Sequence, residues 1–242
     1  MAETCGSENL TSMLVDQLQS TDHILIGDTK HDDKRILDAV SETIPALAEN
    51  GVKHLFLEVS DSLEYLLDNS NEDFGQNPKA RELLEFWASQ PEAIIAIVDR
   101  ARQHGIKVHF ADDHENIVEH VALFEALQAE PDQQRAETLG EELIAKRMNV
   151  NKIVAEKIEA EGSSGKTATV FGAAHFLGIN DIDEMLSKQS KVITVSPGES
   201  HQELILLYAK AMLKDVEEPD ACFYLTPPQT PKNLEEKTHS RS

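Results

Sequence analysis

"HILIGDTKH", residues 23–31, reads as a strand that runs straight into a polar turn. Ile24, Leu25 and Ile26 are consecutive apolar residues, as expected of a strand buried on both faces, which is the habit of parallel sheets. Gly27 ends the run, and Asp28 and His31 follow within four residues. In an open parallel sheet, ligands gather beyond the carboxyl ends of the strands, so these two side chains stand where chemistry would be done. The plainer reading is a polar turn in which Asp28 does no more than cap a helix.

Similar short apolar runs recur along the chain. "KHLFLEV" (53–59), "IKVHFAD" (106–112), "TATVFG" (167–172) and "KVITV" (191–195) read as further strands, and "ACFYL" (221–225) as a last one. Between them the period becomes helical. "DDKRILDAVSETIPALAENG" puts Ile36, Val40, Ile44 and Leu47 on one face and stops at Gly51. "PKARELLEFWASQPEAIIAIVDRARQHG" gives two helical pieces, broken near Pro91 and stopped at Gly105. Residues 132–161 carry the longest helical signal, with Leu139, Leu143, Arg147, Val150, Val154 and Ile158 at helical spacing, and a further helix is expected over 202–214.

Strands alternating with helices specify an α/β fold: a mostly parallel central sheet, helices on both faces, and a site at the carboxyl edge of the strands. The expected organisation is a flexible N-terminus (1–9), a single α/β domain (10–228) and a disordered tail (229–242) that is proline-rich and then polar.

The balance of 22 Lys and Arg against 44 Asp and Glu gives a formal net charge of −22. Such a surface repels a phosphate backbone and an anionic membrane, so no nucleic-acid partner is expected. No apolar stretch approaches the roughly 18–20 residues of a membrane span. The N-terminus lacks a basic start followed by an apolar run, so no signal peptide is expected and the cytoplasm is the expected compartment. Export by a route that reads no cleavable signal leaves no mark on such a sequence. Cys5 and Cys222 lie near opposite ends, which suggests neither a disulfide framework nor a cysteine zinc site. "GSSGKT" (162–167) is no phosphate loop, because only two residues separate its glycines and it leads into a strand. "NLT" (9–11) is a glycosylation acceptor only in a secreted chain.

The strand-end rule then collects candidates. The first strand delivers Asp28 and His31, the second Glu58, and the third Asp112, Asp113 and His114. The fourth delivers His175, and the fifth Ser196, Glu199 and His201. Asp113 and His114 are also ordinary first-turn residues of a helix. Glu58 is less easily explained, because a carboxylate ending an apolar run must find a cation, a metal or several donors. His175 is embedded in "VFGAAHFLG", between small and apolar residues.

Taken together, "ILIGDTKH", "LFLEV" and "VFGAAHFLG" resemble the superfamily of erythromycin esterases, ChaN-type haem-binding proteins and TIKI/TraB proteases. That group carries a Gly-Glu-x-x-His turn, a glutamate ending the next strand, and a later Gly-x-x-His. Gly27 to His31 fits the first with Asp28 in place of glutamate, Glu58 fits the second, and Gly172 to His175 the third. Arg147 falls at the arginine such proteins carry on a long helix, and "DACFYLTPP" is similar to the closing strand of ChaN-type proteins. The resemblance implies a hydrolase that cleaves an ester or amide bond of a small-molecule or peptide substrate. His31, Glu58 and His175 would activate water or hold a divalent metal (Mn, Co or Zn), with Asp28, Arg147, Asp112 and Asp113 in support. It equally implies a haem- or metal-binding module without turnover, for which Tyr65 is the nearest tyrosine, or a partner-binding protein on an inherited scaffold. The shortened carboxylate at Asp28 bears on which of these holds. Specificity is expected from the helical insertion over residues 61–104.

Overall fold

The computed structural model describes residues 5–6, 9–30, 33–67, 73–178, 181–198 and 218–225. Among these residues, seven strands form one parallel sheet: β1 (Cys5–Gly6), β2 (His23–Asp28), β3 (Val52–Ser60), β4 (Lys107–Asp112), β5 (Lys166–Gly172), β6 (Ser190–Ser196) and β7 (Ala221–Tyr224). Their spatial order is β1-β7-β6-β2-β5-β3-β4. The chain moves outward through β3 and β4, returns to insert β5 beside β2, and then builds the other half through β6 and β7. Successive connections therefore leave in opposite directions around β2 and β5, and a crevice opens at that reversal above the carboxyl ends of the strands.

Side chains divide between the faces as a period of two requires. Ile24, Ile26, Leu55, Leu57, Val59 and Val170 point into one core, covered by α1 (Leu10–Leu18), α2 (Lys34–Glu49) and α4 (Pro91–Gln103). Leu25, Phe56, Ala111 and Phe171 point into the other, covered chiefly by Val150, Val154 and Ile158 of α6 (Gln133–Glu161). Each helix ends where its residues dictate. Asp33 caps α2 by accepting from the Arg35 N–H, and Gly51, at φ 93°, follows its last turn. Pro91 opens α4 after α3 (Pro78–Trp87), and Gly105, at φ 73°, follows its end.

Three features depart from the sequence reading, and the first is β1, a strand of the sheet within residues 1–9, which were expected to be flexible. α5 (His114–Ala129) is a full helix, antiparallel to α6, with Glu119 paired to Lys146. Val118, Val121 and Phe124 on it stay about half exposed, so no buried stripe marks it in the sequence. The two cysteines are also neighbours: parallel pairing of β1 with β7 sets Cys5 opposite Cys222, and Cys222 is disulfide-bonded. Distance along the chain concealed this, because a crossover strand brings the two ends together. Among the described residues, no helix is long and apolar enough to cross a membrane. The helix expected over 202–214 and the tail from 229 lie outside the described residues.

Candidate functional site

The register brings the strand ends level. Asp28 of β2 lies beside Gly172 of β5 on one side and Val195 of β6 on the other. β3 pairs with β5 only as far as Leu57 with Val170, and its pairing with β4 shifts between Leu57 and Ser60. Glu58 sits at this irregularity. Its side chain takes over where the backbone ladder stops, with Oε2 accepting the Gly172 N–H at 2.5 Å. Irregularities of this kind re-aim a side chain at a sheet rim.

After β5 the chain turns through a short 3-10 segment, Ala173–Phe176, that presents His175. Gly27 makes this possible, because a Cβ there would stand 3.0 Å from the Ala173 Cα. The turn therefore lies directly on the end of β2. His175 Nε2 comes to 3.6 Å from Glu58 Oε1, both side chains being partly buried. That gap exceeds a direct hydrogen bond and suits one bridging water.

The other edge of the imidazole is fixed by a chain of buried polar groups. His175 Nδ1 lies 2.6 Å from Asn151 Oδ1. Asn151 Nδ2 donates to Asp181 Oδ1 at 2.9 Å, and Arg147 donates to the same carboxylate at 3.1 and 3.4 Å. Asp181 also accepts from the Gly178 N–H. Because the Asn151 amide gives its N–H to a carboxylate, its oxygen faces His175, and Nδ1 must carry the proton. Nε2 of the neutral ring then offers its lone pair towards Glu58.

A cavity of about 350 Å³ adjoins Glu58, with Asp28 and Asp112 also on its wall beside apolar Leu37, Ile94 and Phe171. Burial pushes the Asp112 carboxyl up to about 8, and Glu58, Asp113 and Asp61 push in the same direction. Asp112 is therefore a neutral acid at neutral pH, able to donate a proton. His120, on α5, is held below the usual histidine range by burial first and then by Arg147, so it is neutral there. Burial also raises Asp181, against the pull of Arg147.

Of the residues expected at the site, the structure brings together Glu58 and His175 and sets Asp28 and Asp112 on the same cavity. His31 lies outside the described residues, as do Glu199 and His201. Arg147 acts at one remove, through Asp181 and Asn151. Asp113 caps α5 through the Asn116 N–H at 2.9 Å. His114 binds Ser60 Oγ at 3.2 Å, and Ser196 meets Thr29 Oγ1 at 2.7 Å. Asn151, Asp181 and His120 are additions to the sequence reading. The helical spacing of Asn151, four residues after Arg147, was the available signal.

Glu58 and His175 supply two potential metal ligands, but among the described residues no third comes within coordinating distance of them. For haem, Tyr65 is about half exposed beneath the Lys79 ammonium, 5.2 Å from its ring centre, and is not part of the cavity wall. It is no axial ligand for that space.

The sequence matches no protein-family profile and no curated protein. Solved structures do resemble the fold. The type III effector HopBA1 is 18% identical, with a TM-score of 0.56 over 78% of this chain and 83% of that one. RRSP, a MARTX toxin effector domain from Vibrio vulnificus CMCP6, is 20% identical, with a TM-score of 0.53 over 81% of this chain and 37% of that one. This chain thus spans most of HopBA1 and little more than a third of the RRSP chain. The shared feature is the α/β fold.

Proposed function

We propose that the protein is a hydrolase of the kind the erythromycin esterase, ChaN and TIKI/TraB resemblance implies, cleaving an ester or amide by attack of activated water. The observation that carries this is the Glu58–His175 pair, 3.6 Å apart, with the imidazole tautomer fixed from behind by Asn151. Water between Glu58 Oε1 and His175 Nε2 gives its proton to this pair as its oxygen attacks the carbonyl carbon. The tetrahedral intermediate then collapses, and the Asp112 carboxyl protonates the departing oxygen or nitrogen. Glu58 takes its orientation from Gly172, and Asn151 and Asp181 hold His175 through the cycle. Apolar walls and three carboxyl groups favour a substrate with an apolar or cationic group beside the scissile bond, and disfavour anionic ones. Ala88, Ser89 and Gln90, between α3 and α4, complete the wall and would set specificity. HopBA1 and RRSP are named as effector and toxin domains, and we extend that role to this chain as part of the proposal.

Turnover on a panel of ester and peptide substrates tests this, with Glu58→Gln and His175→Asn as paired controls. Each should lose hydrolysis about a hundredfold or more while keeping its melting temperature. Folded variants with unchanged turnover would remove both residues from the chemistry.

A further inference from the structure

A second cluster lies towards the other end of β3. His54 is four residues before Glu58 on the same strand, about 13 Å away at the rise of an extended chain. His109 stands on the neighbouring edge strand β4, and Glu161 closes α6. Three separate parts of the chain therefore meet here. His54 Nδ1 is 3.1 Å from His109 Nε2, and Glu161 Oε2 is 4.0 Å from that same nitrogen. One ligand atom from each residue lies within 4.8 Å of both others.

We propose that His54, His109 and Glu161 form a binding site for a divalent transition-metal ion, zinc in the first place, that ties the end of α6 to β3 and β4. Ligands of a tetrahedral zinc stand about 3.3 Å apart, given bonds of about 2.0–2.1 Å. The two imidazoles already meet that spacing, and Glu161 reaches it by a small side-chain movement from a partly exposed helix end. Water takes the fourth position on the solvent side.

Both histidines are also held from behind, as metal-ligating histidines are. His109 Nδ1 lies 3.2 Å from Glu64 Oε1, and a carboxylate there accepts the ring N–H, leaving Nε2 as a lone pair facing inward. His54 Nε2 lies 2.8 Å from Ser164 Oγ. When that hydroxyl accepts, the His54 Nδ1 lone pair also faces inward, and two lone pairs 3.1 Å apart require a cation between them. When the hydroxyl donates, a proton on Nδ1 fills the gap instead, so metal and proton are alternatives at one point. The rings are kept in place by stacking: His54 on His109 at 5.3 Å, and His109 on Phe56 at 4.7 Å, with planes 22° and 15° apart. Lys107, 3.0 Å from Glu161 Oε2, is the competitor that the ion displaces. The nitrogen-rich ligand set favours zinc, copper, nickel or cobalt over magnesium or calcium.

The test is zinc titration of the full chain after chelator treatment, read by calorimetry and elemental analysis, with cobalt absorption reporting coordination. One equivalent should bind, and cobalt should show the visible bands of a tetrahedral site with nitrogen ligands. Glu161→Gln and Glu64→Gln should each weaken zinc binding tenfold or more, and His109→Gln should abolish it. Melting curves in chelator establish that each variant is folded. If His109→Gln fails to fold, the two glutamate variants decide alone. Glu58→Gln and His175→Asn should still bind one equivalent. No binding in large zinc excess would overturn the proposal. So would zinc lost on Glu58→Gln and kept on Glu161→Gln, which would move the ion to the other edge.

Discussion

Asp112→Asn should make the protein more stable, and only where pH lets Asp112 ionise. The folded carboxyl titrates at about 8 against an ordinary 3.8. A group whose folded pKa is raised binds its proton more tightly in the folded state, so stability falls as pH rises between the two values. At about 1.4 kcal/mol per pH unit, a gap of about four units sets a ceiling of about 6 kcal/mol. Asparagine keeps the shape and cannot ionise. The two proteins should melt together near about pH 4, separate progressively to about pH 8, and keep a constant gap above it. For a chain of this size that ceiling corresponds to a melting temperature up to about 12–24 °C higher for the variant at about pH 9. Thermal unfolding across this range in constant ionic strength is the assay. A variant that melts lower at high pH, or whose difference from the parent ignores pH, would refute the assignment of Asp112 as a partly buried neutral acid. On the proposed chemistry, the parent should lose turnover as pH rises through about 8, and the variant should be impaired throughout.

Glu58→Gln combined with His175→Asn should lose little activity beyond either single change, because members of one catalytic unit are not additive; single-turnover rates on the three variants check this. Gly27→Ala places a methyl 3.0 Å from the Ala173 backbone, so melting should fall by the equivalent of about 1–3 kcal/mol and turnover should fall with it. Full activity in that variant would show that the turn carrying His175 tolerates displacement. Arg147→Met leaves the Asp181 carboxyl without its cation in a site where the two side chains are 13% and 2% exposed, and should cost about 3–5 kcal/mol by denaturant unfolding. Removing exposed Lys34 from its pair with Asp38 should cost less than about 0.5 kcal/mol and serves as the control.

How much of this was legible in the sequence follows from which forces are local. Each strand read from an apolar run is present to within one residue at either end, because burial on both faces forces continuous Ile, Val, Leu and Phe. Helix ends at Gly51, Pro91 and Gly105 were equally plain, since their backbone constraints act on single residues. Strand order was not legible: nothing in "TATVFG" says that β5 inserts beside β2. α5 was not read as a helix because, among the described residues, it packs chiefly against α6 and leaves Val118, Val121 and Phe124 about half exposed. At the site, the strand-end rule found Asp28, Glu58, Asp112 and His175 because sheet geometry delivers those positions. It had no means of finding Asn151 on a helix or Asp181 in a loop, nor of showing that Arg147 reaches His175 only through them. His54 and His109 were hidden for the same reason, as two mid-strand histidines become one cluster only when β3 and β4 pair.

The two polar systems at the carboxyl edge differ in what they do for the fold. Arg147, Asp181 and Asn151 bind one another, and each bond also determines how His175 is held. Around Asp112 the balance runs the other way: Glu58, Asp113 and Asp61 all oppose its ionisation, and burial opposes it further. Lys157, whose neighbour Asp61 is one of these carboxylates, binds Asp61 at 3.2 Å and the Phe110 carbonyl at 3.3 Å. A chain that required only stability would gain from asparagine at position 112. Clustered carboxyl groups with one held neutral are instead what a proton donor beside a water-activating pair needs. Substitution at Asp112 should raise stability and lower turnover together, whereas substitution at Arg147 should lower both.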